Sequence, residues 1–292
     1  RRISRQRALF PTPGQAKADW RIVAAVADGM GFGDAFSWAS QASVFREWTR
    51  LTAFENLDRT LNLSGLVGLS QADYDELAPV QWPVGADRLG TSRLFADGQF
   101  QTPDGRGVMV PVAPKGPATA CDPAFPLSLN TGRIRDQWHT MTRTGLAADL
   151  WRHAPEPFVE IHPQDAAAVG VTEGVLTRVQ TVRGEAVAIA RLTDRQRRGG
   201  VFMPMHWTKA YAPSGRSNPL IAPNIDPTSG QPEFKHTPAR VRAYRETWKG
   251  FLIDRRAFAP PEGADLIWRR IPQTGCVLHE FAGRGDEEER DI

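Results

Sequence analysis

The sequence predicts an α+β protein in which a mainly helical amino-terminal region is followed by a closed, barrel-like β domain. Three observations carry this. Over residues 1–120 apolar residues recur at helical spacing between long connections. From about residue 121 the texture turns to short strands with one helix among them. Those strands lack an alternating βαβ rhythm, which favours a closed sheet over a doubly wound one. A stretch holding Pro111, Pro114, Pro117 and Pro123 around Lys115-Gly116 marks the boundary.

Each element has a local reason. Asp19 is the expected cap of a helix carrying Trp20, Ile22, Val23 and Val26 and ending at Gly29. A glycine-rich loop follows over 29–34. A second helix is expected from Ala42 to Leu51, burying Val44, Phe45, Trp48 and Leu51. Ser70 with Asp73 has the spacing of a capping box at the start of a short third helix. Asp97-Gly98 and Asp104-Gly105 mark turns, and Val108, Val110 and Val112 alternate in strand fashion. Beyond the boundary, Pro126 to Asn130 is a strand entering the polar loop Thr131-Gly132-Arg133. Phe158 to Ile161 is another, followed by a proline-initiated helix from Pro163 to Val169 that ends at Gly170. Val175 to Val182 and Glu185 to Leu192 pair across Arg183-Gly184. The second of these is apolar on both faces, as in a strand buried on both sides. Val201 to Met205 completes the set. The acidic run Gly285 to Ile292 is expected to fray.

Composition excludes several classes. The 292 residues carry net charge +3, with 41% hydrophobic and 24% charged residues, an ordinary globular balance. No apolar run approaches the ~18 residues of a membrane span, and nine Trp and fourteen Phe argue against disorder. Cys121 and Cys276 are too far apart in sequence to suggest a disulfide framework, a zinc site or an iron–sulfur ligand set, so a reducing compartment is expected. The 31 Arg against 5 Lys are compatible with a phosphate-bearing ligand, but codon usage in a GC-rich genome is the favoured explanation. The net charge is too small to argue for nucleic acid. Walker A, complete G-x-G-x-x-G, G-x-S-x-G and H-E-x-x-H motifs are all absent. The six histidines (139, 153, 162, 206, 236 and 279) show no metal-ligand spacing, so no metal site is expected. The opening Arg1-Arg2-Ile3-Ser4 lacks an initiator Met, and suggests the carboxy-terminal piece of a longer polypeptide.

One segment stands apart: residues 127–145. A strand ends at Gly132, where backbone N–H groups can approach an anion closely. Thr131, Thr140 and Thr142 offer hydroxyls, Arg133 and Arg143 can clamp phosphate, and Trp138 can pack on a flat ring. The set suits a nucleotide or dinucleotide. It reads equally as a polar loop capped by its own threonines. A second cluster of long polar loops runs through Met203 to Thr208, Ser214 to Asn218 and Asn224 to Lys235.

At these residues a family resemblance becomes specific. NTGRIRDQWHTMTRTG (130–145) resembles the cofactor-binding signature of the bis-molybdopterin guanine dinucleotide oxidoreductases, and the form DQWHTMTR (136–143) is most similar to bacterial assimilatory nitrate reductases. RRISRQR (1–7), RLFADGQFQTPDG (93–105), FMPMHW (202–207) and SGQPEFKHTPARV (229–241) are supporting matches in the family's order. The resemblance implies three regions. Residues 1–120 would be the end of the catalytic region plus a linker, 121–250 a six-stranded double-psi barrel, and 251–292 a tail packed on the enzyme body. It also implies that Thr131, Gly132, Arg133, Ile134, Arg135, Asp136, Gln137, Trp138, His139 and Thr140, then Thr142 and Arg143, bind the molybdenum-bearing guanine dinucleotide cofactor. His206, Asn218 and Lys235 match further positions of that set.

The family's cysteine cluster for a [4Fe–4S] centre and the segment bearing the molybdenum ligand are not in these 292 residues. The resemblance therefore implies that both belong to a missing amino-terminal part, that no catalytic residue lies here, and that this portion is inactive alone. The full-length protein would reduce nitrate to nitrite in the cytoplasm, with the remainder of its own polypeptide and an electron-donor protein or reductase subunit as partners. Neither nucleic acid nor membrane is expected. Two alternatives stand beside this. The same portion of a formate dehydrogenase would more usually carry an HWHTGTMTRR-type loop, against which Asp136-Gln137 and Met141 directly after Thr140 argue. A stand-alone dinucleotide-binding module is the other, and the start in mid-motif speaks against it.

Overall fold

The chain opens on a two-residue strand, β1 (Arg2–Ile3), paired antiparallel with β2 (Val80–Gln81). Between them lie α1 (Asp19–Gly29), α2 (Gln41–Ala53) and α3 (Gln71–Asp75). The computed structural model describes residues 1–256, 258, 260 and 266–284, which divide into two units, Arg1–Ala113 and Pro114–Ile292.

In the first unit, caps decide where helices start. Ser40 and Ser43 exchange side-chain and backbone hydrogen bonds at the head of α2, and Ser70 and Asp73 do the same for α3, as their spacing predicts. Asp19 does not cap α1: Ala18 holds that position, and Asp19 is the first helical residue, where its carboxylate complements the helix dipole. The core is Leu63, Leu66, Leu69 and Val84, with Ile3, Phe45, Leu77, Val80 and Trp82 packed around it. α2 buries the small residues Ala42 and Thr49, which allow close approach, while Trp48 and Leu51 are exposed, contrary to expectation. Val108, Val110 and Val112 form no strand and are exposed. Alternation alone cannot hold a strand without a partner, and Pro111 among them lacks a donor.

The second unit is built on six strands: β3 (Leu127–Gly132), β4 (Phe158–Ile161), β5 (Leu176–Gln180), β6 (Glu185–Leu192), β7 (Gly200–Pro204) and β8 (Thr237–Ala243). They close into a barrel of order β3-β7-β4-β6-β5-β8. Two pairs, β3 with β7 and β4 with β6, are parallel and the other four are antiparallel, the mixed pattern of a double-psi barrel. Two short helices, α4 (Ala148–Trp151) and α5 (Pro163–Ala168), sit in the connections, the latter with its proline in the first turn as expected.

The interior is apolar, with Leu129, Val159, Ile161, Val179, Ala190, Val201 and Met203 among its buried residues. The two-faced burial of β6 has a visible cause. Ala186, Ala188 and Ala190 point into the barrel, while Val187 joins Leu176, Tyr244 and Ala282 under a second sheet. That sheet comprises β9 (Trp248–Asp254), β10 (Leu266–Gln273) and β11 (Cys276–Gly283), all antiparallel in the order β10-β11-β9. Residue 250, expected to end the barrel domain, thus lies inside β9. The acidic run 285–292, expected to fray, lies outside the described residues.

Register fixes which loops share an end. Gly132 pairs with Pro204, Glu160 with Phe202, Glu185 with Gln180, and Leu129 with Thr237. The carboxyl ends of β3, β5 and β7 therefore meet the amino ends of β4, β6 and β8. The two longest connections, 133–157 and 205–236, and the 181–184 hairpin all emerge there.

Candidate functional site

Every residue singled out from sequence lies at this one end. Thr131 and Gly132 close β3, and the β7–β8 connection returns alongside them. Lys235 Nζ donates to the Thr131 carbonyl, and the Thr131 hydroxyl donates to the Phe234 carbonyl at 2.9 Å. The Met205 N–H donates to the Gly132 carbonyl at 2.9 Å, extending the β3–β7 pairing by one rung.

The loop that follows is held by His206, which has no solvent exposure. The Ile134 N–H donates to its Nε2 at 2.9 Å, and its Nδ1 lies 2.6 Å from the His139 carbonyl. A carbonyl can only accept, so Nδ1 carries the proton and Nε2 does not; the ring is neutral. Burial, with Arg133 nearby, pushes its pKa down, although the bond to His139 opposes this. His139 (φ +45°) and Met141 (φ +61°) both adopt left-handed backbone, which costs about 1–3 kcal/mol each and persists only where surroundings enforce it. For Met141 the enforcement is burial: its side chain sits without exposure beside Trp151, Phe158 and Trp207.

Inside the loop several polar groups pair with one another. Gln137, 4% exposed, donates Nε2–H to the Leu150 carbonyl at 3.2 Å and accepts from the Thr144 hydroxyl at 2.7 Å. Arg135 forks onto Asp136 through Nε at 2.8 Å and Nη2 at 2.9 Å, while His153 Nδ1 stands 3.2 Å from the same carboxylate. The guanidinium keeps the Asp136 pKa below its ordinary value, and Asp136 in turn raises that of Arg135. What the loop leaves outward is the Arg133 guanidinium 5.4 Å over the Trp138 ring, with Trp138 57% exposed, and the exposed Thr140, Thr142 and Arg143.

Residues 127–238, which hold the barrel strands and both long loops, match the family model described as "Molydopterin dinucleotide binding domain". This barrel is a molybdopterin dinucleotide-binding domain. The chain is similar to a nitrate reductase of Klebsiella oxytoca, 45% identical over 292 residues, which is all of this chain and 33% of that protein. It is also similar to the F420-dependent formate dehydrogenase 1 subunit alpha of Methanococcus maripaludis, 34% identical over 242 residues, covering 82% of this chain and 33% of that one. The fold aligns with acetylene hydratase from Pelobacter acetylenicus at a TM-score of 0.58 and 16% identity, over 80% of this chain and 33% of that chain. The chain thus spans about a third of the length of these relatives.

At this end several of the residues singled out from sequence also make contacts within the protein. Thr131 and Gln137 bond within the protein through their side chains, and Arg135 is engaged by Asp136. The Ile134 N–H is taken by His206. Asn218 is exposed, and its neighbours pack on the 181–184 hairpin rather than on the 133–145 loop. Thr181 Oγ1 donates to the Leu220 carbonyl at 2.9 Å, and a Cβ on Gly184 would stand 2.8 Å from the Pro219 carbonyl. Sequence reasoning did not anticipate Thr144, Gly145, His153 or Tyr211. Thr144 and Gly145 lie inside the signature stretch, whereas His153 and Tyr211 lie outside it. Close by are buried polar atoms that lack hydrogen-bond partners among the described residues: Trp207 Nε1, Ser217 Oγ and Thr237 Oγ1. Trp207 and Thr237 flank the ends of β7 and β8, and Ser217 precedes Asn218. Orphan donors of this kind fit a ligand rich in acceptor oxygens and ring nitrogens.

Proposed function

We propose that this chain is the cofactor-binding portion of a molybdenum-dependent nitrate reductase, and that its barrel end holds a bis-molybdopterin guanine dinucleotide. The observation that carries the reading is the outward Arg133–Trp138 platform, at a barrel end that also holds partnerless buried donors. A guanidinium and an indole face suit a pyrophosphate and a flat base, and the orphan donors suit base edges. Arg133, Arg143 and Lys235 would take phosphate oxygens. Thr140, Thr142, Ser217 and Asn218 would offer neutral polar groups, and Trp138 would lie against a ring.

When bound, the molybdenum centre supplies two-electron oxygen-atom chemistry, so nitrate with two protons and two electrons yields nitrite and water. The chain's own residues bind and orient the dinucleotide. The molybdenum ligand, a [4Fe–4S] centre and the nitrate pocket are assigned to the rest of the polypeptide, with an electron-donor protein or reductase subunit as partner and the cytoplasm as location. Among the described residues no helix is long and apolar enough to cross a membrane. Nitrate is favoured over formate by the 45% identity across the whole chain, against 34% to the formate dehydrogenase subunit.

The test is to purify the gene product from its source cells and measure its mass, its molybdenum, the guanine nucleotide it releases, and its turnover of nitrate and of formate. A polypeptide about three times this length, with molybdenum, guanine nucleotide and nitrate turnover, is the expected result. Formate turnover alone would move the assignment to the dehydrogenases. A product of 32.3 kDa without molybdenum would leave a non-catalytic dinucleotide-binding module.

A further inference from the structure

We infer that His206 is a positioning residue: as a neutral imidazole protonated at Nδ1, it fastens both ends of the Ile134–His139 segment to the barrel and so holds Arg133 and Trp138 in their outward pose. This inference rests on the reading of the barrel end as a dinucleotide site, and it places His206 behind that site rather than in contact with the ligand.

Three features lead there. First, both ring nitrogens are consumed, Nε2 by the Ile134 N–H at 2.9 Å and Nδ1 by the His139 carbonyl at 2.6 Å, and the residue has no exposed surface. No atom is left over for a ligand. Second, the two partners bracket the segment that carries the Arg135–Asp136 pair, Gln137 and Trp138. Arg133, immediately before Ile134, stacks over Trp138, immediately before His139. Fixing 134 and 139 on one rigid ring therefore fixes the separation of the two groups offered to solvent. Third, the ring is anchored to the barrel itself, directly after the rung from the Met205 N–H to the Gly132 carbonyl that continues the β3–β7 pairing. The Trp138 N–H donates to Thr144 Oγ1 at 3.2 Å, so the far side of the loop is tied independently.

Imidazole is suited to this because it presents one donor and one acceptor in divergent directions. A carboxamide presents both on one terminus and cannot reach both partners. Gln, whose terminus reaches the Nε2 position, can accept from Ile134 but loses His139. Asn, whose terminus lies near the Nδ1 position, can donate to His139 but loses Ile134. Phe keeps the ring's volume and loses both.

The test compares His206→Phe, His206→Gln and His206→Asn in the natural gene product by hydrogen exchange resolved to single amides over 133–141, with and without bound cofactor, alongside melting midpoint and guanine nucleotide content. In cofactor-free protein, H206F should speed exchange of the Ile134 amide by about tenfold or more, since a buried donor loses its acceptor. H206Q should restore slow exchange at Ile134. H206N should leave Ile134 fast. All three should lower nucleotide retention relative to native protein. Slow exchange at Ile134 in a folded H206F protein would overturn the inference, as would equal exchange there in H206Q and H206N. Should H206F fail to fold, the H206Q and H206N pair decides alone. Native protein that binds no guanine nucleotide yet shows the exchange pattern would sink the dinucleotide reading while keeping the positioning role.

Discussion

Replacing Gly145 by Ala should destabilise the carboxy-terminal unit by about 2–4 kcal/mol and loosen the signature loop. A Cβ there would stand 2.3 Å from Tyr211 Oη, 2.8 Å from its Cζ and 3.2 Å from Met141 Cβ. Tyr211 cannot swing clear cheaply. Its ring packs on Trp151 at a centroid distance of 5.0 Å, and its carbonyl accepts from the Arg270 N–H at 2.7 Å. Trp151, 1% exposed, donates Nε1–H to the Gly145 carbonyl at 2.9 Å, so a shift of either partner strains that bond as well. Forcing one methyl into such packing costs about 1–3 kcal/mol, and a weakened buried hydrogen bond adds about 1 kcal/mol. At roughly 2–4 °C per kcal/mol for a unit of this size, the midpoint should fall by about 4–16 °C. Tryptophan fluorescence during heating, with limited proteolysis of the loop, reads the change. Tyr211→Phe in the Gly145→Ala background removes the Oη contact and should recover part of the loss. A G145A midpoint within about 1 °C of native would refute the argument, and no recovery from Y211F would show that the Tyr211 hydroxyl is not the obstacle.

Arg133→Ala or Lys235→Ala should lower guanine nucleotide and molybdenum content about tenfold, the loss of one charge-assisted contact, while the melting midpoint holds; unchanged content in both would remove these residues from the site. Burial pushes the His206 pKa below its ordinary 6.5, so the unfolded chain takes up that proton first as pH falls. Its contribution to stability is therefore full above about pH 6.5 and declines as pH descends through the depressed folded value. Urea midpoints from pH 8 to 5 should show a steeper fall in native protein than in H206F, and equal slopes would count against a neutral ring. Glu156 shows the opposite linkage: desolvation raises its pKa from 4.5, so its contribution is full below that value and falls as pH rises through the folded one. Glu156→Gln should accordingly stay within about 1 kcal/mol of native at pH 7, whereas Arg269→Met strands Glu156 and Glu280 together and should cost about 3–5 kcal/mol; the reverse order would refute the account. Gly65→Ala should disrupt the amino-terminal unit by more than about 3 kcal/mol, because its Cβ would meet the Gly85 carbonyl oxygen at 1.7 Å and backbone cannot rotate away. A native-like melt of that variant would be decisive against it.

Features written in short stretches of sequence were legible. The capping box of α3, the proline start of α5 and the two-faced character of β6 depend on neighbours a few residues away. The placement of Trp48 and Leu51 was not, since periodicity shows that a helix has an apolar side without saying how closely that side approaches its core. The β10–β11 hairpin left a signal that went unread. Two runs of largely apolar residues flank Thr274-Gly275, and Gly275 takes φ +80°, a backbone that glycine adopts at the second central position of a turn. At the site, the signature stretch itself stood out by composition. The role of His206 did not, because its partners Ile134 and His139 lie 72 and 67 residues away in the chain. The same holds for Pro219 and Leu220, which pack on the 181–184 hairpin up to 39 residues before them in the chain.

The closure of the barrel has a kinetic consequence. β3, the first strand, is flanked by β7 and β8, the last two, with Leu127 opposite Ala239 and Ser128 opposite Gly200. A growing chain therefore exposes both edges of β3 through the synthesis of most of the unit, and the signature loop has no rigid support until β7 arrives with His206 behind it. Pairings this distant put the barrel among slow-folding topologies, in the range of milliseconds to seconds, with unpaired strand edges exposed to other chains meanwhile. Chains ending before Thr237 should accumulate as aggregates rather than as partly loaded domains, and acceptance of the dinucleotide becomes an event of the finished polypeptide.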